Sequence, residues 1–250
     1  MPRVTTGVLV AVLIFITATA HAALGKFVDY EVDGLPYEGY YVDPGEGAPF
    51  VLLIHDWDGL TDYEVKRAEM LGELGYRVFA ADLFGKGVRP EAEEDRRKLT
   101  RDLYADRKKM RALMFGALTT VENMDVDVEN AVATGYCFGG AAVLELARSG
   151  ADMRGFVPFH GGLKTPDGQD YSRVQGKVLV FHGTADSAVS MEEFSKLASD
   201  LEAAGIEHEM ITYGGAVHAF TVFDRPERYN ETADKQSWTR FVAFLEEELK

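Results

Sequence analysis

Residues 135–139 read Gly-Tyr-Cys-Phe-Gly, and this stretch lies between an apolar run and a run with helical spacing. A nucleophile flanked at two residues' distance by glycines is typical of a sharp turn from a strand into a helix. Larger side chains at the flanking positions would collide in such a turn, and glycine removes the collision. The turn also places the sulfur of Cys137 at a helix N-terminus, whose dipole favours the thiolate. An inert cysteine in a tight glycine turn is the alternative interpretation.

Strand-like and helix-like runs alternate on both sides of this turn. Phe50–His55 is a continuous apolar run, which is typical of a strand buried on both faces. Gly155–His160 and Val178–His182 are expected to be further buried strands, and strand-like segments also occupy Tyr76–Ala81, Asn130–Thr134 and His208–Tyr213. Helical spacing occupies Tyr63–Leu74, Glu91–Leu118 as one or two helices, Ala141–Arg148, Met191–Ala204 and Lys235–Leu249. Before them, residues 26–42 suggest two short strands joined by a turn at Asp33-Gly34. This alternation predicts a mainly parallel central sheet with helices on both faces and an N-terminal strand hairpin.

An acid and a histidine follow later strands of the predicted sheet. The segment HGTAD ends at Asp186, and the segment GGAVHAF contains His218. Because ligands bind beyond the carboxyl ends of strands in open α/β sheets, both side chains are expected near Cys137. The chain order of nucleophile, acid and histidine is the order expected of the α/β-hydrolase arrangement. A single loop histidine or aspartate is usually structural, but three groups in this order favour a catalytic interpretation.

The three residue types have complementary roles in acyl transfer. Cys137 would attack a carbonyl carbon and form a thioester, and His218 would transfer the proton to the leaving group. Asp186 would orient the imidazole and stabilise its charged form. Two backbone N–H groups would bind the oxyanion, and the sequence nominates those of Phe138 and Trp57.

Five segments together resemble the dienelactone hydrolase family of α/β-hydrolases, and the resemblance covers nearly the whole chain after residue 22. They are LLIHDWDGLTDY, LGYRVFAADLFGKG, TGYCFGG, HGTAD and GAVHAF. The resemblance implies a hydrolase of esters or lactones that uses neither a metal nor an organic cofactor. It also implies Cys137, Asp186 and His218 as the triad. The oxyanion donors that it implies are Trp57 and Phe138.

Two positions depart from the family pattern. Well-known members carry a glutamate beside the oxyanion loop, near the resting thiol, where this chain has the shorter Asp56. Asp56 is expected either to be an auxiliary charge near the thiol or only to shape the loop. Family members also place an arginine shortly after the catalytic histidine, whereas here the first arginine after His218 is Arg225. A specific dienelactone substrate is therefore not predicted. Three earlier arginines are expected to be solvated helix charges or, alternatively, to supply a substrate cation: Arg89, Arg96 and Arg97.

The other histidines are expected to have structural roles. His55 is expected to shape the loop beside the site, His160 and His182 to hydrogen-bond locally, and His208 to be exposed. No clustered spacing of ligand residues indicates zinc.

The charge and cysteine content exclude several classes of partner. The 250-residue chain has 26 basic and 41 acidic residues, a formal net charge of −15. Nucleic acids and anionic membrane surfaces require a basic face, so neither is expected as a partner. A single cysteine excludes an internal disulfide framework. Two alternatives to a cysteine hydrolase remain at this point: a non-catalytic extracytoplasmic binding protein on the same fold, and a redox-active thiol protein. The second alternative lacks a resolving cysteine.

The first 22 residues predict export. A basic start at Arg3, an apolar run from Val8 to Ala20 and an Ala-x-Ala ending at Ala22 are typical of a secretory signal peptide. We therefore expect residues 1–22 to be removed and residues 23–250 to form one α/β-hydrolase domain in the periplasm or outside the cell. Intact-mass measurement of the exported protein should give a chain that begins at Ala23. A full-length membrane-bound species as the sole product would instead indicate an uncleaved anchor.

Overall fold

The computed structural model describes residues 25–249. Its central feature is one eight-stranded sheet with the spatial order β1-β2-β4-β3-β5-β6-β7-β8. The hairpin of the first two strands joins β4 in an antiparallel manner, and all later pairings are parallel. The strands are β1 (Lys26–Val32), β2 (Leu35–Val42), β3 (Phe50–Ile54), β4 (Arg77–Ala81), β5 (Ala131–Tyr136), β6 (Gly155–Phe159), β7 (Lys177–Gly183) and β8 (His208–Tyr213).

Six helices cover the two faces of the sheet in the described part of the chain. They are α1 (Asp62–Glu73), α2 (Glu93–Ala105), α3 (Arg107–Glu122), α4 (Phe138–Ser149), α5 (Met191–Ala204) and α6 (Glu231–Glu248). Alternate residues of β3 show how both faces are buried: Leu52 packs in the cluster that contains α3 and α4, whereas Val51 and Leu53 pack in the cluster that contains α1 and α6. The continuous apolar runs of the sequence follow from this two-sided burial.

The structure confirms the predicted α/β-hydrolase class, with its N-terminal hairpin and mainly parallel sheet. Two helices begin three or more residues earlier than their sequence patterns predicted. Helix α4 begins at Phe138 rather than Ala141. Its first turn contains Gly139 and Gly140, which are poor helix formers in general, so the sequence pattern did not predict that turn. Close packing requires glycine at both positions. Helix α6 begins at Glu231 rather than Lys235, since the side chain of Asn230 caps it by accepting the N–H of Ala233.

The expected signal peptide, residues 1–22, lies outside the described residues. Within residues 25–249, no helix is both long enough and apolar enough to cross a membrane.

Parallel pairing brings the carboxyl ends of β3, β5, β6, β7 and β8 to the same edge of the sheet. The turns that follow these strands carry Asp56, Trp57, Cys137, Asp186 and His218, and Phe138 begins the helix after β5. The fold therefore assembles these residues at one edge.

Candidate active site

The turn at Cys137 has the strained geometry that its flanking glycines predicted. Cys137 lies between β5 and α4 with a φ of 52°, and its N–H donates to the carbonyl of Phe159 at 3.0 Å. A Cβ at Gly135 would lie 2.5 Å from the backbone of Gly139. A Cβ at Gly139 would in turn meet the carbonyl oxygens of β3 and of the residue after it. Glycine is therefore required at both positions for steric reasons.

His218 lies between Cys137 and Asp186. Its Nε2 is 3.1 Å from the Sγ of Cys137, and its Nδ1 is 2.8 Å from Oδ2 of Asp186. The other carboxylate oxygen of Asp186 accepts the N–H groups of Ala188 and Val189 at 2.8 and 2.9 Å. The carboxylate is thus fixed by its own loop while it orients the imidazole.

The pKa shifts of His218 and Asp186 favour opposite charges on these two side chains. Burial acts to lower the pKa of His218, but the negative charge of a Cys137 thiolate and the hydrogen bonds with Asp186 and Cys137 outweigh it and raise this pKa to about 10. Burial also opposes the charge of Asp186, yet His218 and the loop N–H groups lower the pKa of this carboxyl. The arrangement therefore favours the imidazolium form of His218 beside the carboxylate of Asp186.

The two nominated oxyanion donors line the same cavity as Cys137. The cavity has a volume of about 550 Å³, and both Trp57 and Phe138 contribute to its wall. Among residues 25–249, the backbone N–H groups of Trp57 and Phe138 have no hydrogen-bond acceptor. Both N–H groups are thus available to an oxygen bound beside the sulfur.

Tyr104 is a cavity residue that the sequence did not single out. It lies on α2, its ring contacts that of Phe138 edge-on at 5.5 Å, and it lines the cavity beside Cys137. Burial, followed by the nearby charge of Cys137, raises the pKa of Tyr104, so its hydroxyl keeps its proton. The spacing of α2 gave no signal for this role, because amphipathic spacing does not distinguish a cavity wall from a helix–helix contact.

Arginines line one side of the cavity. They are Arg97, Arg225 and Arg228. Arg225 also donates to Oδ2 of Asp58 at 2.8 Å. The expectation of solvated charges fits only Arg97, which is largely exposed and pairs with Glu93. It is wrong for Arg96, which is mostly buried near Trp57 and Asp58, and for Arg89, which donates to the carbonyl of Leu60.

The outcomes for the remaining histidines are mixed. Both ring nitrogens of His55 contact backbone groups beside the site: Nε2 accepts the N–H of Leu83, and Nδ1 contacts the carbonyl of Asp56. These contacts fit the expected role in shaping the loop. The prediction of local hydrogen bonds is wrong for His160, which bonds Thr221, 61 residues away, at 2.8 Å. His182 has no hydrogen-bond partner among residues 25–249 and stacks on Phe194. His208 is largely buried rather than exposed, and its ring bonds the carbonyl of Ile206. Within the same residues, no cluster of three or more potential ligands suits a metal ion.

Comparison with known proteins identifies the family. Residues 37–249 match the sequence model of the dienelactone hydrolase family. The chain belongs to this family. The chain is similar to Protein usf of Aquifex pyrophilus, at 26% identity over 90% of this chain and all of the relative.

Two solved structures agree in fold and length. The structure of m3DLH is 32% identical, with a TM-score of 0.86, and covers 92% of this chain and all of its own. A dienelactone hydrolase-like promiscuous phosphotriesterase from metagenomic libraries is 30% identical, with a TM-score of 0.84, over 90% of this chain and 98% of its own. Membership of the dienelactone hydrolase family makes the chain a hydrolase of ester or lactone bonds.

Asp56 is buried beside Cys137, in the loop that carries Trp57. Its side chain is buried at the cavity and accepts the N–H of Asp58 at 2.9 Å, while its own N–H donates to Glu64 at 3.1 Å. Burial, with smaller contributions from Asp58, Glu64 and Cys137, raises the pKa of Asp56 well above its ordinary value. Burial likewise raises the pKa of Glu64 to about 7. The side chain of Asp56 is therefore drawn towards its neutral form.

Asp56→Asn tests whether the carboxylate acts on the thiol. If a charged Asp56 opposes the thiolate, the variant should be alkylated by iodoacetamide faster than wild type in the upper part of the pH range, where the carboxyl ionises, and peroxide should inactivate it faster. At lower pH, where the acid is neutral, the two rates should converge, because the raised pKa of Asp56 removes the charge difference. Superimposable alkylation–pH profiles would leave Asp56 with a loop-shaping role alone.

Proposed function

We propose that this chain hydrolyses small-molecule esters or lactones through a thioester on Cys137, with His218 as proton carrier and Asp186 as its orienting acid. The 3.1 Å contact between Nε2 of His218 and Sγ of Cys137 is the observation that carries this proposal. It joins a nucleophile to a base that is itself held by a carboxylate at 2.8 Å.

In acylation, the thiolate of Cys137 attacks the substrate carbonyl carbon, and the carbonyl electrons form an oxyanion. The N–H groups of Trp57 and Phe138 bind that oxyanion. When the oxyanion collapses, the carbon–oxygen bond breaks and His218 protonates the departing alkoxide. The products of this half-reaction are an alcohol, or the opened end of a lactone, and a thioester.

In deacylation, His218 changes from acid to base. The thioester no longer carries the sulfur charge that raised the pKa of His218, so the neutral imidazole becomes accessible near neutral pH. It takes a proton from water, the hydroxide attacks the thioester carbon, and the thiolate of Cys137 departs as the carboxylic acid is released. Each proton removed in one half-reaction is returned in the other.

The cavity supports a small substrate with an anionic group. Its volume of about 550 Å³ suits a ligand of modest size. Arg97, Arg225 and Arg228 place positive charge along its wall in a chain whose formal net charge is −15. Attraction confined to the cavity would favour esters with a carboxylate or phosphate group over neutral esters of the same size.

A substrate screen tests the proposed function. Matched neutral and anionic activated esters and small lactones are offered to the mature protein and to Cys137→Ala. We expect hydrolysis by wild type, faster for the anionic member of each pair, and rates near the uncatalysed background for the variant. Equal rates for wild type and Cys137→Ala would contradict the proposal, because no other residue stands in a glycine–x–nucleophile–x–glycine turn of this sequence.

The pH dependence of acylation follows from His218. At pH values below its raised pKa of about 10, the imidazolium can protonate an alkoxide leaving group; above that pH the proton is lost. Single-turnover acylation by an alkyl ester should therefore decline as the pH rises through about 10. A nitrophenyl ester, whose leaving group needs no proton, should show a smaller decline. The same decline for both esters would contradict the role of His218 as acid.

A further inference from the structure

The turn that carries His218 needs support from outside itself. Ala219, the next residue, has a φ of 64°, which is uncommon for a residue other than glycine and is destabilising unless surrounding contacts maintain it. The contacts of His218 with Cys137 and Asp186 depend on this turn, since both are made by the imidazole it presents.

Thr221 supplies that support from three residues beyond His218. It is fully buried, and its Oγ1 lies 2.7 Å from the hydroxyl of Tyr63 and 2.8 Å from Nε2 of His160. Its carbonyl accepts a hydrogen bond from Nη2 of Arg67 at 2.8 Å. The turn is therefore bonded to α1 through two residues and to the end of β6 through His160.

His160 connects this support directly to the imidazole of His218. It follows β6 with a φ of 38°, and its N–H donates to the carbonyl of Phe181 at 2.8 Å, which fixes its backbone. Its ring is fully buried and meets the ring of His218 edge-on, with centroids 5.5 Å apart. A second edge-on contact, at 5.4 Å, is made with Phe220 of the same turn. His160 thus contacts the turn at the imidazole and at two of the next three residues.

The groups that face His160 keep it neutral. Burial lowers the pKa of His160 well below its ordinary value, and the positive charges of His218, Arg67 and His182 act in the same direction. The other titratable neighbours are the phenols of Tyr63 and Tyr136, whose pKa values burial raises. A neutral ring can approach the His218 imidazolium without the repulsion that a second cation would introduce.

We infer that His160 is a positioning residue of the hydrolytic site, which, through Thr221 and its own ring, holds the imidazole of His218 in reach of Cys137. This inference rests on the proposed function for its consequence in turnover. Its structural part, the alignment of imidazole and sulfur, is measurable without any ester.

Thr221→Val is the main test, because valine keeps the shape of threonine and removes its hydroxyl. Thr134→Val is the matched control: Thr134 is equally buried, and its hydroxyl bonds the carbonyl of Val157 at 3.0 Å, away from His218. His160→Asn is a second variant, since asparagine tolerates a positive φ while its shorter side chain withdraws from Thr221. Thermal unfolding of each variant establishes that it is folded.

Iodoacetamide alkylation of Cys137 is measured against pH in the mature protein and these variants. A displaced imidazolium stabilises the thiolate less, so in Thr221→Val and His160→Asn the midpoint should move up by about one pH unit, with alkylation at neutral pH about tenfold slower. Their kcat per titrated active site should fall about tenfold while KM stays within about twofold of wild type. Thr134→Val should show lowered stability with an unchanged alkylation profile.

Coincident alkylation profiles for wild type, Thr221→Val and His160→Asn would overturn the inference and leave both residues with a role in folding alone. Failure of the proposed function would look different. In that case wild type would hydrolyse no ester, while the alkylation profiles would still decide whether His160 and Thr221 align His218 with the sulfur.

Discussion

His218→Ala is expected to lower kcat for ester hydrolysis by several orders of magnitude, and Asp186→Asn by about 10⁴-fold. His218→Ala removes the imidazole whose Nε2 lies 3.1 Å from the sulfur of Cys137. The proton carrier of the proposed reaction is then lost. In wild type, Nδ1 of His218 lies 2.8 Å from the carboxylate of Asp186. In Asp186→Asn the asparagine amide changes this hydrogen bond and favours the wrong tautomer of the imidazole. Single-turnover kinetics with one activated ester measures both effects.

The matched control for Asp186→Asn is Asp170→Asn. Asp170 is an exposed loop aspartate that, like Asp186, accepts a backbone N–H two residues ahead, at 2.9 Å from Ser172. Its carboxyl contacts no group of the candidate site, so its replacement should leave kcat unchanged. A loss of less than tenfold in both His218→Ala and Asp186→Asn would contradict the proposed proton transfer. Circular dichroism of each variant separates lost chemistry from lost fold.

Gly139→Ala is expected to destabilise the protein by about 3 kcal/mol, the upper end of the usual penalty for overpacking. The added methyl group would meet the carbonyl oxygens of Ile54 and His55, and backbone at the end of a central strand has little room to yield. Urea unfolding monitored by fluorescence gives the change in the free energy of unfolding.

Gly214→Ala is the control for this substitution. A Cβ at Gly214 has no heavy atom of the described residues within 4 Å, and Gly214 is not among the glycines with positive φ. Its replacement should leave stability unchanged or raise it slightly, because alanine restricts the unfolded chain. If Gly139→Ala unfolded at the same urea concentration as Gly214→Ala, the close approach of α4 to β3 would not be what requires glycine at position 139.

The sequence predicted the strands because their burial leaves a local pattern. Phe50–Ile54 is apolar at every position, since both faces of β3 are covered, and Met191–Ala204 has regular helical spacing with a capping serine before it. The turn at Cys137 was predictable for a related reason: its flanking glycines are required by contacts that the turn itself creates. The positions of Asp186 and His218, each after a predicted strand, then indicated that both lie at the same sheet edge as Cys137.

The missed features depend on contacts between distant parts of the chain. The bond between His160 and Thr221 spans 61 residues, and that between Arg225 and Asp58 spans 167. Neither leaves a periodic signal, because each involves single residues on separate loops. Tyr104 and Arg228 were missed as cavity residues for the same reason. Local patterns predict which elements form, whereas the wall of a cavity is set by how those elements pack.

Intact-mass measurement of an acyl-enzyme tests the central claim most directly. Wild type and Cys137→Ala are mixed with a slowly deacylating activated ester, quenched in acid at short times, and digested to locate any modification. We predict that wild type gains the mass of one acyl group, located on Cys137, and that the acyl group disappears as product forms. An acyl group on another residue, or turnover by Cys137→Ala at the wild-type rate, would contradict a thioester mechanism.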